Sequence, residues 1–227
     1  MKICFIGNFS GGGTERISFN LASELAKRLD YEVCLLSTSS HAPRFALSQK
    51  VNFQRVCDLT SKQKLINRIK ALRDYIRKEN FDIVVSIEAL TGIILIPATI
   101  GLKCKTIVWE HANYFQTQGS RWTRMVRKVW LRYAAAYVVL TKRDKRNFET
   151  YEKHRCPIVQ IYNPVSIKRF TEYDASSTRI MSAGHLLPIK QFHLIPQIFA
   201  PIASEYPGWT WHIYGEGPER QHIEAEI

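Results

Sequence analysis

Short β-branched apolar runs alternate with longer stretches of helical period along most of the chain, and that alternation limits the fold more than any other feature. The runs are KICFI (2–6), YEVCLLS (31–37), VNFQRV (51–56), DIVVSI (82–87), KTIVWE (105–110), AYVVL (136–140) and IVQIY (158–162). Most are apolar without strict alternation, as strands covered on both faces are. Between them Ile17, Leu21, Leu25 and Leu29 recur every four residues, and Leu65, Ile66, Ile69, Leu72 and Ile76 form a second stripe. Strand–helix–strand order predicts an α/β fold with a doubly wound parallel sheet over residues 1–165.

A second unit is expected to follow. Residues 166–177 are polar and read as a linker. Strands are expected at 178–184 and 209–215, a helix at Gln191–Glu205, and the start of another near Pro218. Two strands and two helices are few for a separate core, so 178–227 reads as an incomplete domain, cut off in mid-fold. The run 83–102 is long enough to cross a bilayer, but Glu88, Pro97 and its change of period favour a buried strand, a turn and a buried helix. Five scattered cysteines, Cys4, Cys34, Cys57, Cys104 and Cys156, read as free thiols in a reducing cytoplasm.

The formal net charge of +12 calls for an anionic partner: nucleotide or phosphate, anionic lipid, or nucleic acid. The place for a phosphate is GNFSGGGTER (7–16), a strand–loop–helix junction at the carboxyl edge of the first strand. Glycines there let a ligand approach main-chain N–H groups at a helix N-terminus. Glycines at 7, 11, 12 and 13 do not spell Gly-x-Gly-x-x-Gly, and the second strand ends in STSS without an acidic ribose partner. A dinucleotide-dependent oxidoreductase is thereby disfavoured, and a P-loop lacks its Gly-Lys-Ser/Thr. A plain reversing turn would also use such glycines.

SGGGTERISFNLASEL resembles the Gly-Gly-x-Glu-Arg opening of family 4 glycosyltransferases, which have two facing Rossmann-like domains, the GT-B fold. The likeness continues in order: FDIVVSIE, WEHAN (109–113), VVLTKRDKRNF, IYNPVSI, AGHLLPIK and IYGEGPER each resemble a family segment. It implies the N-terminal domain at 1–165 on the acceptor side and a donor-binding domain at 178–227, short of the family's Glu-x(7)-Glu segment. Gly12 and Gly13 match the loop that admits donor diphosphate or acceptor, while Glu15 and Arg16 open the helix as binding residues or as ordinary first-turn charge.

His111 matches the histidine that hydrogen-bonds the transferred sugar, against the alternative of a strand-end histidine satisfied by backbone. Lys190 matches the lysine that meets the departing diphosphate. His185 stands where the family has an arginine, which weakens the charge offered to the donor. Gly215 and Gly217 resemble the turn beside the nucleotide base, and a simple strand-to-helix turn would use them too.

The basic stretch RWTRMVRKVWLRY (121–133) divides on a helical wheel. Trp122, Met125, Val126, Val129, Trp130 and Tyr133 lie on one side and Arg121, Arg124, Arg127, Lys128 and Arg132 on the other. The apolar side is expected to pack on the sheet and the basic side to meet anionic lipid headgroups. No nucleic-acid motif accompanies these cations, so nucleic acid is not an expected partner.

The likeness implies a retaining hexosyltransferase that takes a UDP- or GDP-hexose as donor substrate and needs no cofactor or metal. Its acceptor would be lipid-linked or glycan, in bacterial lipopolysaccharide, capsule or exopolysaccharide assembly. The expected place is the cytoplasm, peripheral on the inner membrane face. The rival is a truncated, non-catalytic remnant that binds acceptor or membrane.

Overall fold

A computed structural model of the protein describes residues 1–9, 11–55, 64–116, 120–165, 172 and 174–227. The chain forms two compact units, Met1–Val165 and Ser166–Ile227. The expected strand residue Val56, Cys57 and most of the polar 166–177 segment lie outside the described residues.

The first unit is built on strands β1 (Lys2–Gly7), β2 (Glu32–Ser37), β3 (Asn52–Arg55), β4 (Ile83–Ile87), β5 (Lys105–Glu110), β6 (Ala136–Val139) and β7 (Ile158–Gln160). Every pairing is parallel and the spatial order is β3-β2-β1-β4-β5-β6-β7. Parallel neighbours need crossovers, and helical periods supply all but one of them as α1 (Gly13–Leu25), α2 (Leu65–Glu79), α3 (Gly92–Thr99), α4 (Arg121–Tyr133) and α5 (Lys142–Tyr151), the connection from β2 to β3 having no helix. The order reverses direction at β1 and β4, where open sheets of this kind bind ligands beyond the strand ends.

Alternate strand residues feed two cores. Cys4, Ile6, Cys34, Leu36, Val84 and Val108 pack with residues of α2, α3, α4 and α5. Ile3, Phe5, Val33, Leu35, Val85 and Ile87 pack with Phe19 and Ala22 of α1. The continuous apolar runs in the sequence are the consequence, because both faces of each central strand are covered.

Three expectations need correction. The buried side of α1 is Glu15, Ser18, Phe19 and Ala22, with Ile17, Leu21 and Leu25 only partly buried beside it. Leu29, counted in the same stripe, falls beyond the helix and is fully exposed. In α2 the buried residues are Arg68, Leu72 and Ile76, and Leu65 and Ile66 are exposed. The 83–102 run is β4, a short 3-10 turn at Ala89–Thr91 and α3, as its composition implies. Among the described residues no helix is long and apolar enough to cross a membrane.

The second unit holds a parallel pair, β8 (Arg179–Ala183) and β9 (Thr210–Tyr214), with α6 (Ile195–Glu205) and α7 (Arg220–Ala225). Both strands alternate between exposed and half-buried residues, and α6 has no buried residue.

Candidate active site

The carboxyl edge of the first sheet is organised residue by residue. After β1 the fully buried Phe9 packs on Phe19, ring centroids 5.4 Å apart, and pins the chain as it leaves the sheet. Gly12 caps α1 at a φ of 90°, a backbone setting that side-chain-bearing residues rarely adopt. A Cβ on Gly12 or Gly13 would meet nothing within 4 Å, so open space faces both. A ligand can approach the start of α1 there.

Glu15 shapes this loop from beneath. It is fully buried, its Oε2 accepts from the Gly11 N–H at 2.6 Å, and its Oε1 accepts from the N–H groups of Arg44 and Phe45 at 2.7 and 3.3 Å. Both oxygens are engaged with backbone, so Glu15 holds two loops together from inside the protein. One consequence lies above it. The Arg44 side chain runs across Gly11, where a Cβ would come within 2.8 Å of the arginine Cδ. Arg44 and Arg16 are both exposed cations at this loop.

The next two strands carry the other half of the edge. His111 follows β5, half-buried, its ring tilted against Trp109 with centroids 4.5 Å apart. Its Nε2 is buried without a hydrogen-bond partner among the described residues. Burial lowers the imidazole pKa to about 4, so the ring is neutral at pH 7. A buried, unpaired ring nitrogen forfeits about 1–3 kcal/mol.

The segment bearing His111 is fixed by a buried ion pair. Glu110 Oε2 accepts from Arg127 Nε and from the Tyr137 hydroxyl, both at 3.0 Å, and Glu110 Oε1 accepts from the Ala112 N–H at 3.1 Å. Arg127 also donates to the Tyr114 carbonyl at 2.9 Å and lies over the Phe148 ring. Arg127 was expected on the lipid-facing side of 121–133, and it is instead buried. A carboxylate at the end of β5 draws it inward. The α4 face that packs is Thr123, Val126, Arg127, Trp130 and Leu131, while Trp122, Met125 and Tyr133 are exposed beside Arg121, Arg124, Lys128 and Arg132.

Glu88 follows β4 directly, between the glycine loop and His111. Its backbone has φ 67° and ψ 146°, a region populated almost only by glycine and worth about 1–3 kcal/mol of strain for other residues. Its side chain is exposed and makes no hydrogen bond among the described residues. Burial of its surroundings and then the charge of Glu110 raise its pKa above the usual carboxylate value.

In the second unit the loops after β8 and β9 are zipped together by backbone. The Leu186 N–H donates to the Glu216 carbonyl at 2.9 Å, and the Glu219 N–H donates to the Leu186 carbonyl at 3.1 Å. Gly215 and Gly217 make this possible, because a Cβ at either would strike the backbone of Gly184 or Leu186. His185 and Lys190 stand on the first of these loops, both exposed, with no hydrogen bond from either side chain among the described residues. Gly12, Gly13, Arg16 and His111 thus share one edge of the first sheet, and His185, Lys190, Gly215 and Gly217 share the strand ends of the second.

Arg44 and Glu88 were not foreseen. Arg44 sits in an aperiodic loop, where spacing carries no information. Glu88 offered one signal, an acid in an apolar run, and that signal also argued against a membrane span.

Residues 11–169 match the sequence profile of Glycosyltransferase Family 4. The chain is 29% identical over 225 residues to an uncharacterised glycosyltransferase of Haemophilus influenzae, covering 96% of this chain and 63% of the relative. It is 27% identical over 241 residues to an undecaprenol-diphosphate glycan α-1,4-N-acetyl-D-galactosaminyltransferase of Campylobacter jejuni, covering 100% of this chain and 65% of that one. The chain therefore spans just under two thirds of these relatives. Among solved structures it resembles Anabaena HepE in complex with UDP and glucose (TM-score 0.75, 14% identity, 100% of this chain and 64% of that one). It also resembles a lipopolysaccharide outer core galactosyltransferase in its apo form (TM-score 0.68, 18% identity, 100% and 64%). At these identities the structures show a shared fold.

Proposed function

The chain belongs to glycosyltransferase family 4, and we propose that it takes part in moving a hexose from a UDP- or GDP-sugar to a lipid-linked or glycan acceptor. The observation that carries this reading is the neutral His111 ring, its buried Nε2 unpaired, on the same sheet edge as a glycine loop facing open space. A neutral imidazole suits a sugar hydroxyl better than a phosphate. Within the second unit the candidate for the donor diphosphate is the Lys190 cation, with Gly215 and Gly217 shaping the neighbouring turn and His185 standing where the family resemblance has an arginine. Charge growing on the leaving nucleotide can be met by such electrostatic stabilisation without a required metal, and retention is the stereochemical course that the family resemblance implies.

A lipid-linked acceptor is supported by the sequence relative whose name speaks of an undecaprenol-diphosphate glycan. The exposed face of α4 supports a place on the cytoplasmic membrane surface. Trp122, Met125 and Tyr133 can enter the headgroup layer beside four cations, each contributing about 1 kcal/mol near anionic lipid.

The test is transfer from UDP- and GDP-hexoses to octyl glycosides by the full-length protein. His111→Ala is expected to lower kcat/KM about 100-fold with UDP binding retained. Unchanged turnover in that variant would refute the assignment.

A further inference from the structure

The turn after β4 is held in an unfavourable backbone shape by hydrogen bonds from every side. The Glu88 N–H donates to the Trp109 carbonyl at 3.0 Å, and Ser86 Oγ donates to the Glu88 carbonyl at 3.0 Å. Thr91 Oγ1 donates to the Ile87 carbonyl at 2.9 Å, and the Trp130 indole N–H donates to the Ala89 carbonyl at 3.0 Å. Gly92 lets that indole in, since a Cβ there would collide with it. Strain of this kind survives only where the surroundings over-determine it. A glycine at position 88 would satisfy the same backbone without strain. The chain carries a carboxylate there instead.

Where that carboxylate stands follows from the register. Ile6 pairs with Ser86 and Ile87 pairs with Trp109, so Asn8, Glu88 and the start of the His111 segment follow one another across three adjacent strand ends. This is the point at which the strand order turns, where ligands of such sheets lie. Solvent reaches Glu88, and no protein group takes up its oxygens among the described residues. An anion here would repel a diphosphate and attract a hydroxyl donor, and the neighbouring His111 is neutral. A sugar presents several hydroxyls, and a charged acceptor of their hydrogen bonds discriminates strongly between analogues with and without one.

We propose that Glu88 is a substrate-binding residue that accepts a hydrogen bond from a hydroxyl of the acceptor sugar, and that it selects the acceptor rather than the donor. This rests on the transferase reading above. Glu88 would orient the acceptor beside His111, with no bond made or broken at the carboxylate itself.

The test uses the full-length protein with a UDP- or GDP-hexose donor and, as acceptor probes, octyl glycosides of galactose, glucose and N-acetylgalactosamine with their monodeoxy analogues. Glu88→Gln is expected to lower kcat/KM for the best acceptor about 10-fold, and Glu88→Gly about 10- to 100-fold. UDP affinity by calorimetry should stay within about two-fold in both. One monodeoxy analogue should be a poor acceptor for the natural protein and no poorer than its parent for Glu88→Gln. Glu88→Gly should melt at or above the natural temperature while it loses transfer, a combination that a merely structural residue would not give. Unchanged acceptor kinetics in an active protein would overturn this proposal alone, and so would a loss of UDP affinity that matches the loss of transfer. A lowered melting temperature in Glu88→Gly would remove the strain it stands on. A natural protein that neither binds UDP nor GDP nor transfers would overturn the transferase reading and this proposal with it.

Discussion

The two units use the same local means, parallel strands joined mostly through helices, and reach different degrees of burial. In β1 five consecutive residues, Ile3 to Gly7, are buried; in β8 and β9 none is. Apolar residues are not what the second unit lacks. Met181 is 70% exposed, Ile198 53% and Tyr214 55%, while Leu186 and Ile223 are its only buried apolar residues among those described. Side-chain type therefore does not settle burial; cover by a neighbouring layer does. The sites inherit the difference. His111 stands on a segment fixed by a buried ion pair, whereas His185 and Lys190 stand exposed on a loop joined to its neighbour by backbone hydrogen bonds.

Four measurements would sharpen or break this contrast. The largest effect is expected from Trp130→Ala, which empties a fully buried site and removes the indole hydrogen bond to the Ala89 carbonyl. It should cost about 3–5 kcal/mol by denaturant unfolding. Trp211→Ala, at a half-buried site bonded to Ser182, should cost less than half of that. Equal losses would erase the distinction between the units.

Next comes Glu110→Ala, which leaves Arg127 facing a void. A penalty of roughly 3 kcal/mol is expected, with most of it recovered in Glu110→Leu/Arg127→Met. A mild effect would mean that the His111 segment is held by something other than this pair.

The third concerns His111 and pH. Its folded pKa, about 4, lies below the usual imidazole value near 6.5. The unfolded chain therefore takes up the proton first as pH falls. The stability that depends on a neutral ring is complete above about pH 6.5 and drains away toward pH 4. Allowing for partial exposure, the loss is about 1–2 kcal/mol. Unfolding at pH 7 and pH 4.5, with His111→Asn as the reference, checks it, and a pH-independent difference would contradict the buried, neutral ring.

The smallest effect is the most direct test of periodicity against packing. Leu29→Lys should stay within about 0.5 kcal/mol of the natural protein despite its place in the four-residue stripe. A loss above 1 kcal/mol would put Leu29 back in the core.

The sequence by itself determined the strand count of the first sheet, its parallel class, the edge bearing the glycines and His111, and the family likeness. These follow from short-range patterns: continuous apolar runs, helical periods and residue types at strand ends. Tertiary structure alone decided that Glu15 faces inward, that Arg127 leaves the cationic face of α4 for Glu110, and that Arg44 and Glu88 join the edge. A charge is drawn inward by a partner many residues away, and a backbone is strained by hydrogen bonds from other strands. Neither has a period to read, because both depend on which elements the fold makes neighbours.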